Sequence, residues 1–364
     1  MVILQMLSNM KKNGPAMVVY DLAYGLAEMG HDVYIAAGEG ELAHELSHPK
    51  IHYIHIPIDK ISGKSIKTYA KYMINGIKTY YQLKRLILDK KIEIINSHQP
   101  VSNIFAKRLS HVTGIPFVTT SHNVYKKNIL SKTYVSGNHV IACSDKVYEN
   151  SIAVFKVPQD KITCIRNGIN PDRLKITEEL NYPCSFVIGT LAGLRKQKAL
   201  DKLIKAFSVF HESVKDSCLV IAGDGSEKES LILLTKELNI EDYVLFLGFR
   251  SDSANVLSGL NIFALSSEFE GLPISMLEAM VMKIPVVVTP VGGIPWVIKD
   301  KNNGILCSYG NVVEMADAFF ELYKSSEYRK EIGLNGYNTV IKQYSSAYMA
   351  QQYLQIYQKQ IADN

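Results

Sequence analysis

Two glutamates that follow an apolar segment are the most informative chemical feature of this sequence. Residues 266–280 read SSEFEGLPISMLEAM, which places Glu270 and Glu278 eight positions apart. Pro273 suits the first turn of a helix, whose free N–H groups would point toward Gly271 and favour an anion. Burying a carboxylate without a partner is costly, so Glu278 needs a polar partner such as a ligand hydroxyl. We expect the two carboxylates to bracket a phosphate-bearing ligand; the alternative is that local backbone or a lysine satisfies both.

A basic turn in the same half of the chain suits such a ligand. Residues 195–198 read RKQK and follow the apolar run 186–191. Cations at a strand-to-helix turn stabilise the negative charge that grows on a departing diphosphate. The pattern therefore predicts phosphate contacts from Lys198 and Arg195, and the alternative is a solvated basic turn.

Two histidines follow apolar runs in the first half of the chain. His98 comes after residues 92–97, and His122 comes just after residues 117–120. An imidazole at the end of a buried strand can hydrogen-bond a ligand hydroxyl or take part in proton transfer. A lone histidine is more often structural, so the residues alone leave both interpretations open.

The elements that must position these residues are strands of parallel sheets. Short apolar runs alternate with amphipathic stretches along the whole sequence, a pattern typical of α/β folds with helices on both faces of the sheet. Ligands of such folds bind at the carboxyl ends of the strands, where the residues above lie. The predicted strands are residues 2–7, 32–37, 51–56, 92–97, 117–120, 139–142, 162–165, 186–191, 219–222, 243–247, 262–265, 286–289 and 304–307.

Length and a polar break predict two domains. The chain has 364 residues, which exceeds the roughly 250 to 300 at which one hydrophobic core stops growing. The polar segment 167–183, with its prolines and asparagines, is the expected linker between a domain of residues 1–170 and one of residues 183–345. Apolar residues at helical spacing predict a C-terminal helix within residues 346–364 that packs back on the first domain.

Taken together, these motifs resemble family 4 of the glycosyltransferases, the retaining enzymes of glycosyltransferase group 1. Glu270 and Glu278, with seven residues between them, match the E-x7-E signature of that family. The resemblance extends over nearly the whole chain. It implies an α/β fold of the GT-B type, in which two Rossmann-like domains face each other across a cleft. The other matching motifs are Asn167-Gly168-Ile169, Gly223-Asp224-Gly225, Gly248-Phe249 and Pro290-Val291-Gly292-Gly293.

The resemblance implies a role for each matching residue in the second half. Glu270 would meet hydroxyls of the donor sugar, and Glu278 would meet the ribose of the nucleotide. Backbone N–H groups of Gly271 and Leu272 would meet the diphosphate, and Lys198 falls on the family's donor lysine. The remaining donor-binding residues in this scheme are Gly14, Gly223, Phe249 and Pro273.

The histidines also match the family, whereas three other positions depart from it. His122 matches the T-x-H motif close to the reacting sugar, and His98 matches an H-x-P type position on the acceptor side. The family's donor arginine falls on Gly193, and we expect Arg195, two positions later, to take over its task. Trp296 stands where the motif G-G-x-P-E has glutamate. The first strand-to-helix turn has one glycine where the family has a pair.

The activity implied is that of a retaining glycosyltransferase of the hexosyltransferase class. It would move a hexose or N-acetylhexosamine from a nucleotide sugar, with UDP favoured over GDP, to a glycan or lipid-linked acceptor. Surface polysaccharide biosynthesis, such as that of lipopolysaccharide or capsule, is the expected setting. Two alternatives remain: a nucleotide-sugar epimerase or sugar-phosphate synthase on the same fold, and a non-catalytic partner subunit that keeps the fold.

No metal ion or organic cofactor is expected. The first strand-to-helix turn lacks the G-x-G-x-x-G fingerprint of nicotinamide-dependent enzymes. His52 and His55 would point to opposite faces of a strand and could not hold one ion. No Asp-x-Asp triplet follows an apolar strand, and no nucleic-acid-binding module accompanies the basic residues, so nucleic acid is not an expected partner.

Charge is divided unevenly along the chain. The net charge is +5, but residues 1–180 carry 23 Lys/Arg against 15 Asp/Glu, whereas the rest carries 17 against 20. Residues 60–91 contain eight lysines and Arg85 interleaved with tyrosines, which suits an anionic membrane surface; the alternative is a pair of solvated helices. Since no apolar run is long enough to span a membrane, we expect a cytoplasmic protein, peripheral on the inner face of the cytoplasmic membrane.

Overall fold

The chain folds into two compact units. The computed structural model describes residues 1–57, 66–127 and 133–364, with side chains from residue 75 onward in the helix that begins at residue 66. The first unit combines Met1–Asn170 with Ser346–Asn364, and the second is Pro171–Ser345. The C-terminal residues therefore belong to the unit that the N-terminus begins.

The first unit contains a parallel sheet of seven strands. They are β1 (Val2–Asn9), β2 (Asp32–Gly38), β3 (Ile51–His55), β4 (Ile94–Ser97), β5 (Phe117–Ser121), β6 (His139–Ala142) and β7 (Ile162–Cys164). Their order in the sheet is β3-β2-β1-β4-β5-β6-β7, and each neighbouring pair is parallel. Every residue of β5 and β6 is buried, as expected for a sheet with both faces covered.

Helices cover this sheet. They are α1 (Gly14–Glu28), α2 (Glu41–His44), α3 (Ile66–Lys90), α4 (Pro100–Thr113), α5 (Asp145–Ala153), a 3₁₀ helix (Gln159–Lys161) and the C-terminal helix (Ser346–Ala362). α1 begins where the sequence places it: Asn13 is the N-cap residue, and its side chain accepts a hydrogen bond from Ala16 N at 3.2 Å.

The C-terminal helix packs closely on α1. A Cβ atom on Gly25 of α1 would lie 2.4 Å from the backbone oxygen of Ser346, so only glycine permits this approach. Met349, Tyr353 and Tyr357 of the C-terminal helix are almost fully buried in the core of the first unit. The helix is thus part of that core.

The second unit contains a parallel sheet of six strands. They are β8 (Phe186–Leu191), β9 (Ser217–Ala222), β10 (Val244–Gly248), β11 (Ile262–Leu265), β12 (Val286–Val288) and β13 (Ile305–Leu306). Their order is β10-β9-β8-β11-β12-β13. The helices are α6 (Leu200–Ser213), α7 (Lys228–Glu237), α8 (Ser253–Ser258), α9 (Ile274–Val281), α10 (Ile294–Val297), α11 (Val312–Lys324) and α12 (Ser326–Gln343), with 3₁₀ helices at Pro171–Arg173, Lys196–Lys198 and Glu241–Tyr243.

Strand order in both sheets confirms the predicted α/β fold. All thirteen predicted strands are present, with ends shifted by at most two residues. In each sheet the order reverses at one point, between β1 and β4 in the first unit and between β8 and β11 in the second. Loops that leave neighbouring strands at such a point diverge and open a crevice for ligands. Most of the predicted site residues follow these four strands, and the others follow β5, β9 and β10.

Candidate active site

In the second unit, Lys198 and Glu270 form an ion pair although they follow different strands. Lys198 comes after β8 and Glu270 after β11, and Lys198 Nζ lies 2.6 Å from Glu270 Oε1. Ser267 Oγ donates a hydrogen bond to the same oxygen at 2.7 Å. The Glu270 side chain is only 7% exposed. Within the described part of the chain, Glu270 Oε2 makes no hydrogen bond, so this oxygen can still receive one from a ligand hydroxyl.

Hydrogen bonds to backbone carbonyl groups join the two loops that carry this pair. Ser266 Oγ donates to the carbonyl oxygens of Lys198 and Ala199, at 3.1 and 2.9 Å. Glu268 N donates to Gln197 O at 2.9 Å. Because both loops are fixed to each other, the lysine and the carboxylate keep their separation without a ligand.

A third loop, after β12, supports the backbone of Glu270. Gly292 has φ of +60°, and a Cβ atom there would lie 1.8 Å from the carbonyl oxygen of Glu270. Gly293 N donates to Gly271 O at 2.6 Å, and Thr289 Oγ1 donates to Ser267 O at 2.7 Å. The predicted glycine pair therefore acts on the site through the backbone that it holds.

Trp296 occupies the position of the family's missing glutamate and covers this turn. A Cβ atom on Gly293 would lie 2.9 Å from the Trp296 ring, and Trp296 O accepts a hydrogen bond from Tyr344 at 3.0 Å. The half-buried indole thus sits next to the loop of Glu270 and Gly271.

The N-terminus of α9 points its N–H groups to the same loop. The helix begins at Ile274, so Pro273 is its N-cap residue rather than a member of the first turn. No described side chain caps this end, and the first turn has no acidic residue. A Cβ atom on Gly271 would meet nothing within 4 Å, and Leu272 is partly exposed. An anion could therefore approach the backbone here.

Glu278 pairs with an arginine that sequence analysis missed. Arg173 Nη2 lies 2.8 Å from Glu278 Oε1, and the side chains are 13% and 9% exposed. Glu278 therefore has the polar partner that its burial requires, and this partner comes from the protein. Arg173 lies in the segment predicted to be a linker. The only feature of the sequence that could have indicated its role is that it is a cationic residue close to the Asn167-Gly168 turn.

Arg195 lies beside the position where the family has its donor arginine. Its Nε atom is 3.9 Å from the place that a Cβ atom on Gly193 would take. Arg195 also lines a cavity of about 380 Å³, together with Lys205 and Glu227. The guanidinium thus reaches the region of residue 193 from two positions further along the chain.

Two further residues that are predicted to bind the donor follow β9 and β10. A Cβ atom on Gly223 would lie 1.9 Å from Ala192 O, so this glycine lets the loop after β9 touch the loop that carries Arg195. Phe249 follows β10 and is 72% exposed. An exposed ring at a strand end is available to stack on another ring.

In the first unit, His98 and His122 contact each other. His98 Nδ1 lies 3.0 Å from His122 Nε2, and the rings are stacked with centroids 5.2 Å apart. His98 Nε2 lies 2.7 Å from Gln5 Oε1, and His98 is 2% exposed. Both ring nitrogens of His98 therefore have a partner within the protein. The acceptor-side position of His98 stays a prediction.

Burial keeps both imidazoles neutral at pH 7. It lowers the pKa of His122 to about 4, and burial together with the neighbouring His122 lowers the pKa of His98 well below its usual value. A neutral imidazole carries one N–H donor and one acceptor nitrogen, so each ring can pass a hydrogen bond from one side to the other.

Gly14, the remaining predicted donor residue, is exposed at the start of α1. A Cβ atom there would meet nothing within 4 Å, so the backbone of Gly14 is open to solvent. Gly14, His98 and His122 belong to the first unit, and the other predicted site residues belong to the second.

The described residues provide neither a metal cluster nor a membrane span. Within residues 1–57, 66–127 and 133–364, no group of three or more His, Cys, Asp or Glu residues could hold a metal ion. None of the helices in these ranges is both long enough and apolar enough to cross a bilayer.

Each of the two units matches a model of a known protein family. The model of Glycosyltransferase Family 4 matches residues 12–173, and the model of Glycosyl transferases group 1 matches residues 174–339. The chain is 26% identical to N-acetyl-alpha-D-glucosaminyl L-malate synthase of Bacillus anthracis, over 96% of this chain and 95% of that protein. It is 24% identical to UDP-Gal:alpha-D-GlcNAc-diphosphoundecaprenol alpha-1,3-galactosyltransferase of Escherichia coli, over 74% of this chain and 77% of that protein.

A solved structure has the same fold. HepE of Anabaena in complex with UDP superposes with a TM-score of 0.76 at 17% identity, covering 99% of this chain and 100% of HepE. The two parallel-sheet units therefore form a GT-B fold.

Proposed function

The chain belongs to family 4 of the glycosyltransferases, and we propose that it transfers a hexose or N-acetylhexosamine from a UDP-sugar to a glycan or lipid-linked acceptor, with retention of configuration. The names of the two relatives support this proposal: one is an N-acetyl-alpha-D-glucosaminyl L-malate synthase, and the other is a galactosyltransferase named for UDP-Gal and alpha-D-GlcNAc-diphosphoundecaprenol. The binding of UDP by HepE favours UDP over GDP. Surface polysaccharide synthesis is the proposed setting.

The observation that carries the proposal is the Lys198–Glu270 pair on loops fixed next to an uncapped helix end. Lys198 and the N–H groups at the start of α9 place positive charge where a diphosphate would lie. Arg195 adds a second cation. Glu270 keeps one carboxylate oxygen for a sugar hydroxyl, and Glu278, oriented by Arg173, would accept from the ribose.

We propose that the reaction proceeds on one face of the donor sugar. The bond from the anomeric carbon to the diphosphate oxygen breaks, and the acceptor oxygen forms the new bond from the same face. The proton of the acceptor hydroxyl passes to the leaving phosphate. His122 would orient the sugar through a hydrogen bond, and Lys198 with Arg195 would stabilise the developing phosphate charge.

We propose further that no metal ion takes part, because Lys198, Arg195 and the start of α9 supply the positive charge that phosphate requires. Transfer should then persist in excess EDTA. Loss of activity that added Mg²⁺ or Mn²⁺ restores would contradict this part of the proposal.

Donor binding can be measured through Trp296, the one tryptophan of the chain, which lies beside the proposed phosphate site. Titration with UDP, GDP and ADP should change its fluorescence, with UDP acting at the lowest concentration. Saturating UDP should also raise the melting temperature, since a ligand at 100 times its dissociation constant stabilises by about 2.7 kcal/mol. If none of the three nucleotides changes fluorescence or melting, the donor site is misassigned.

Variants separate phosphate binding from sugar binding. Lys198→Ala should weaken UDP binding and abolish transfer, whereas Glu270→Gln should keep UDP binding and lower kcat by about 100-fold or more, because Glu270 is assigned to the sugar. Lys202→Ala is the matched control, since Lys202 pairs with Asp201 on α6 away from Glu270. Normal transfer by Glu270→Gln would count against the assignment. Product analysis decides the reaction class, because an epimerase or sugar-phosphate synthase would release a free sugar or a sugar phosphate.

We propose an anionic membrane surface as a partner of α3. Ile77, Tyr81 and Leu88 are 55%, 65% and 60% exposed, and their spacing places them on one side of the helix with Lys84 and Arg85 between them. Apolar side chains flanked by cations suit the interface of an anionic bilayer. Residues 60–65 of the predicted basic stretch lie outside the described residues.

Flotation with anionic and neutral vesicles tests this partner. The protein should float with anionic vesicles in low salt and be released in high salt. The double variant Lys84→Glu with Arg85→Glu should lose flotation, whereas Lys126→Glu with Lys127→Glu, which changes the net charge equally, should retain it. If flotation does not depend on salt, or if both double variants lose flotation equally, then α3 is a solvated surface helix and not a membrane contact.

A further inference from the structure

A chain of buried polar groups connects His122 to the C-terminal helix. His122 contacts His98, and His98 Nε2 contacts Gln5 Oε1 at 2.7 Å. The other end of the Gln5 amide, Nε2, donates to the Tyr357 hydroxyl at 3.2 Å. Gln5, His98 and Tyr357 are at most 2% exposed. His122 is thus linked through two buried side chains to Tyr357 of the C-terminal helix, more than 230 residues further along the chain.

A second amide fixes the same hydroxyl. Asn96 Nδ2 donates to Tyr357 Oη at 2.7 Å, and Asn96 Oδ1 accepts from Thr120 Oγ1 at 2.9 Å. The phenol oxygen of Tyr357 therefore receives N–H groups from two buried amides. If the Gln5 oxygen turned toward Tyr357, this N–H contact would be lost, and the phenol O–H would have to rotate toward Gln5 to replace it.

The orientation of Gln5 determines the protons on both histidines. With Nε2 directed to Tyr357, the oxygen of Gln5 faces His98, and an oxygen of this kind only accepts. His98 Nε2 must then carry a hydrogen. Because His98 is neutral, its Nδ1 is an acceptor, and the hydrogen in the contact with His122 belongs to His122 Nε2.

We propose that Tyr357 is a positioning residue that, through Gln5 and His98, holds His122 in the form protonated at Nε2 and unprotonated at Nδ1. His122 then presents a hydrogen-bond acceptor to a hydroxyl group of the sugar. If Gln5 turned by half a rotation, its N–H would face His98, every proton in the chain would shift, and His122 Nδ1 would become a donor. This inference rests on the proposed contact between His122 and the sugar.

Tyr353 provides a matched control on the same helix. Tyr353 and Tyr357 are both fully buried, and their rings lie 5.9 Å apart. The Tyr353 hydroxyl contacts Thr120 Oγ1 at 3.4 Å and does not touch Gln5. Removing the Tyr353 hydroxyl should therefore cost stability without releasing the Gln5 amide.

The experiment combines ¹⁵N spectroscopy of histidine-labelled full-length protein with kinetics. In the unsubstituted protein, both His98 and His122 should be protonated at Nε2 alone near pH 7. In Tyr357→Phe, both rings should show the alternative form in part, and kcat/KM should fall by about tenfold as the population of the competent form decreases. In Tyr353→Phe, the ring signals and kcat/KM should remain unchanged.

Several results would overturn the proposal. Protonation of His122 at Nδ1 in the unsubstituted protein would refute it without any variant, even if Tyr357→Phe fails to fold. Unchanged ring signals in Tyr357→Phe, or equal changes in Tyr353→Phe, would refute the link through Gln5. If the rings change form in Tyr357→Phe while transfer is unaffected, the link is real and the assignment of His122 to the sugar is wrong.

Discussion

Gly292 allows a quantitative test of how the loop after β12 holds Glu270. In Gly292→Ala, the added Cβ atom would lie 1.8 Å from the Glu270 carbonyl oxygen, whereas ordinary contact begins at 3.4 Å. Relief of the overlap therefore needs a shift of about 1.6 Å, and overpacking of this kind costs about 1–3 kcal/mol. The positive φ of +60° adds about 1–2 kcal/mol for any residue with a Cβ atom. We therefore expect Gly292→Ala to lower the free energy of unfolding by about 2–5 kcal/mol in total.

Gly310→Ala is the matched control because it has only the second of these costs. Gly310 belongs to the same unit and has φ of +78°, but a Cβ atom there would meet nothing within 4 Å. Urea unfolding can be followed by the fluorescence of Trp296, which lies in this unit. The free energy of unfolding should be about 1–3 kcal/mol lower for Gly292→Ala than for Gly310→Ala. Displacement of Glu270 by more than 1 Å should also lower kcat/KM by about 100-fold in Gly292→Ala. Equal stability of the two variants, together with normal transfer by Gly292→Ala, would refute the reasoning.

Three further outcomes follow from the buried groups. Arg173→Ala leaves the carboxylate of Glu278 buried without this partner, so urea unfolding should show a loss of about 3–5 kcal/mol, and the double variant with Glu278→Gln should recover part of it. Burial lowers the pKa values of His98 and His122, so the unfolded chain binds protons more tightly, and stability should fall as the pH decreases below about 6.5. For His122, with a pKa of about 4, the slope is up to about 1.4 kcal/mol per pH unit, and His122→Asn should flatten the measured stability–pH curve. Gly25→Ala would place its Cβ atom 2.4 Å from the C-terminal helix backbone and should lower the melting temperature, in contrast to Gly76→Ala, whose nearest neighbour is 3.8 Å away.

The sheets and the loop of Glu270 could be predicted because their signals are local. Buried parallel strands are continuous apolar runs, and each of the thirteen was visible in the sequence. The anion-binding start of α9 was visible in the glycine and proline that precede it, although the helix begins one residue later than expected.

Partners in space were not predictable in the same way. The pairing of Glu278 with Arg173 joins residues more than 100 positions apart, and no periodicity reports such a contact. The direct contact of His98 with His122 requires β4 and β5 to be neighbours, which the strand pattern alone does not specify. Tyr353 and Tyr357 lie within the predicted C-terminal helix, but helical spacing does not indicate the partners of their hydroxyl groups, which lie on β1, β4 and β5.

The return of the C-terminal helix to the first unit has a consequence for biosynthesis. The 175 residues of Pro171–Ser345 must be synthesised before this helix, which takes roughly 9–35 s at about 5–20 residues per second. During that interval the first unit lacks the helix that covers Gln5 and Asn96, whereas the second unit is continuous and can fold first. The first unit should therefore be the part of the nascent chain that depends on chaperones. A stop codon shortly before residue 346 should yield a protein whose second unit is folded and whose first unit is incomplete.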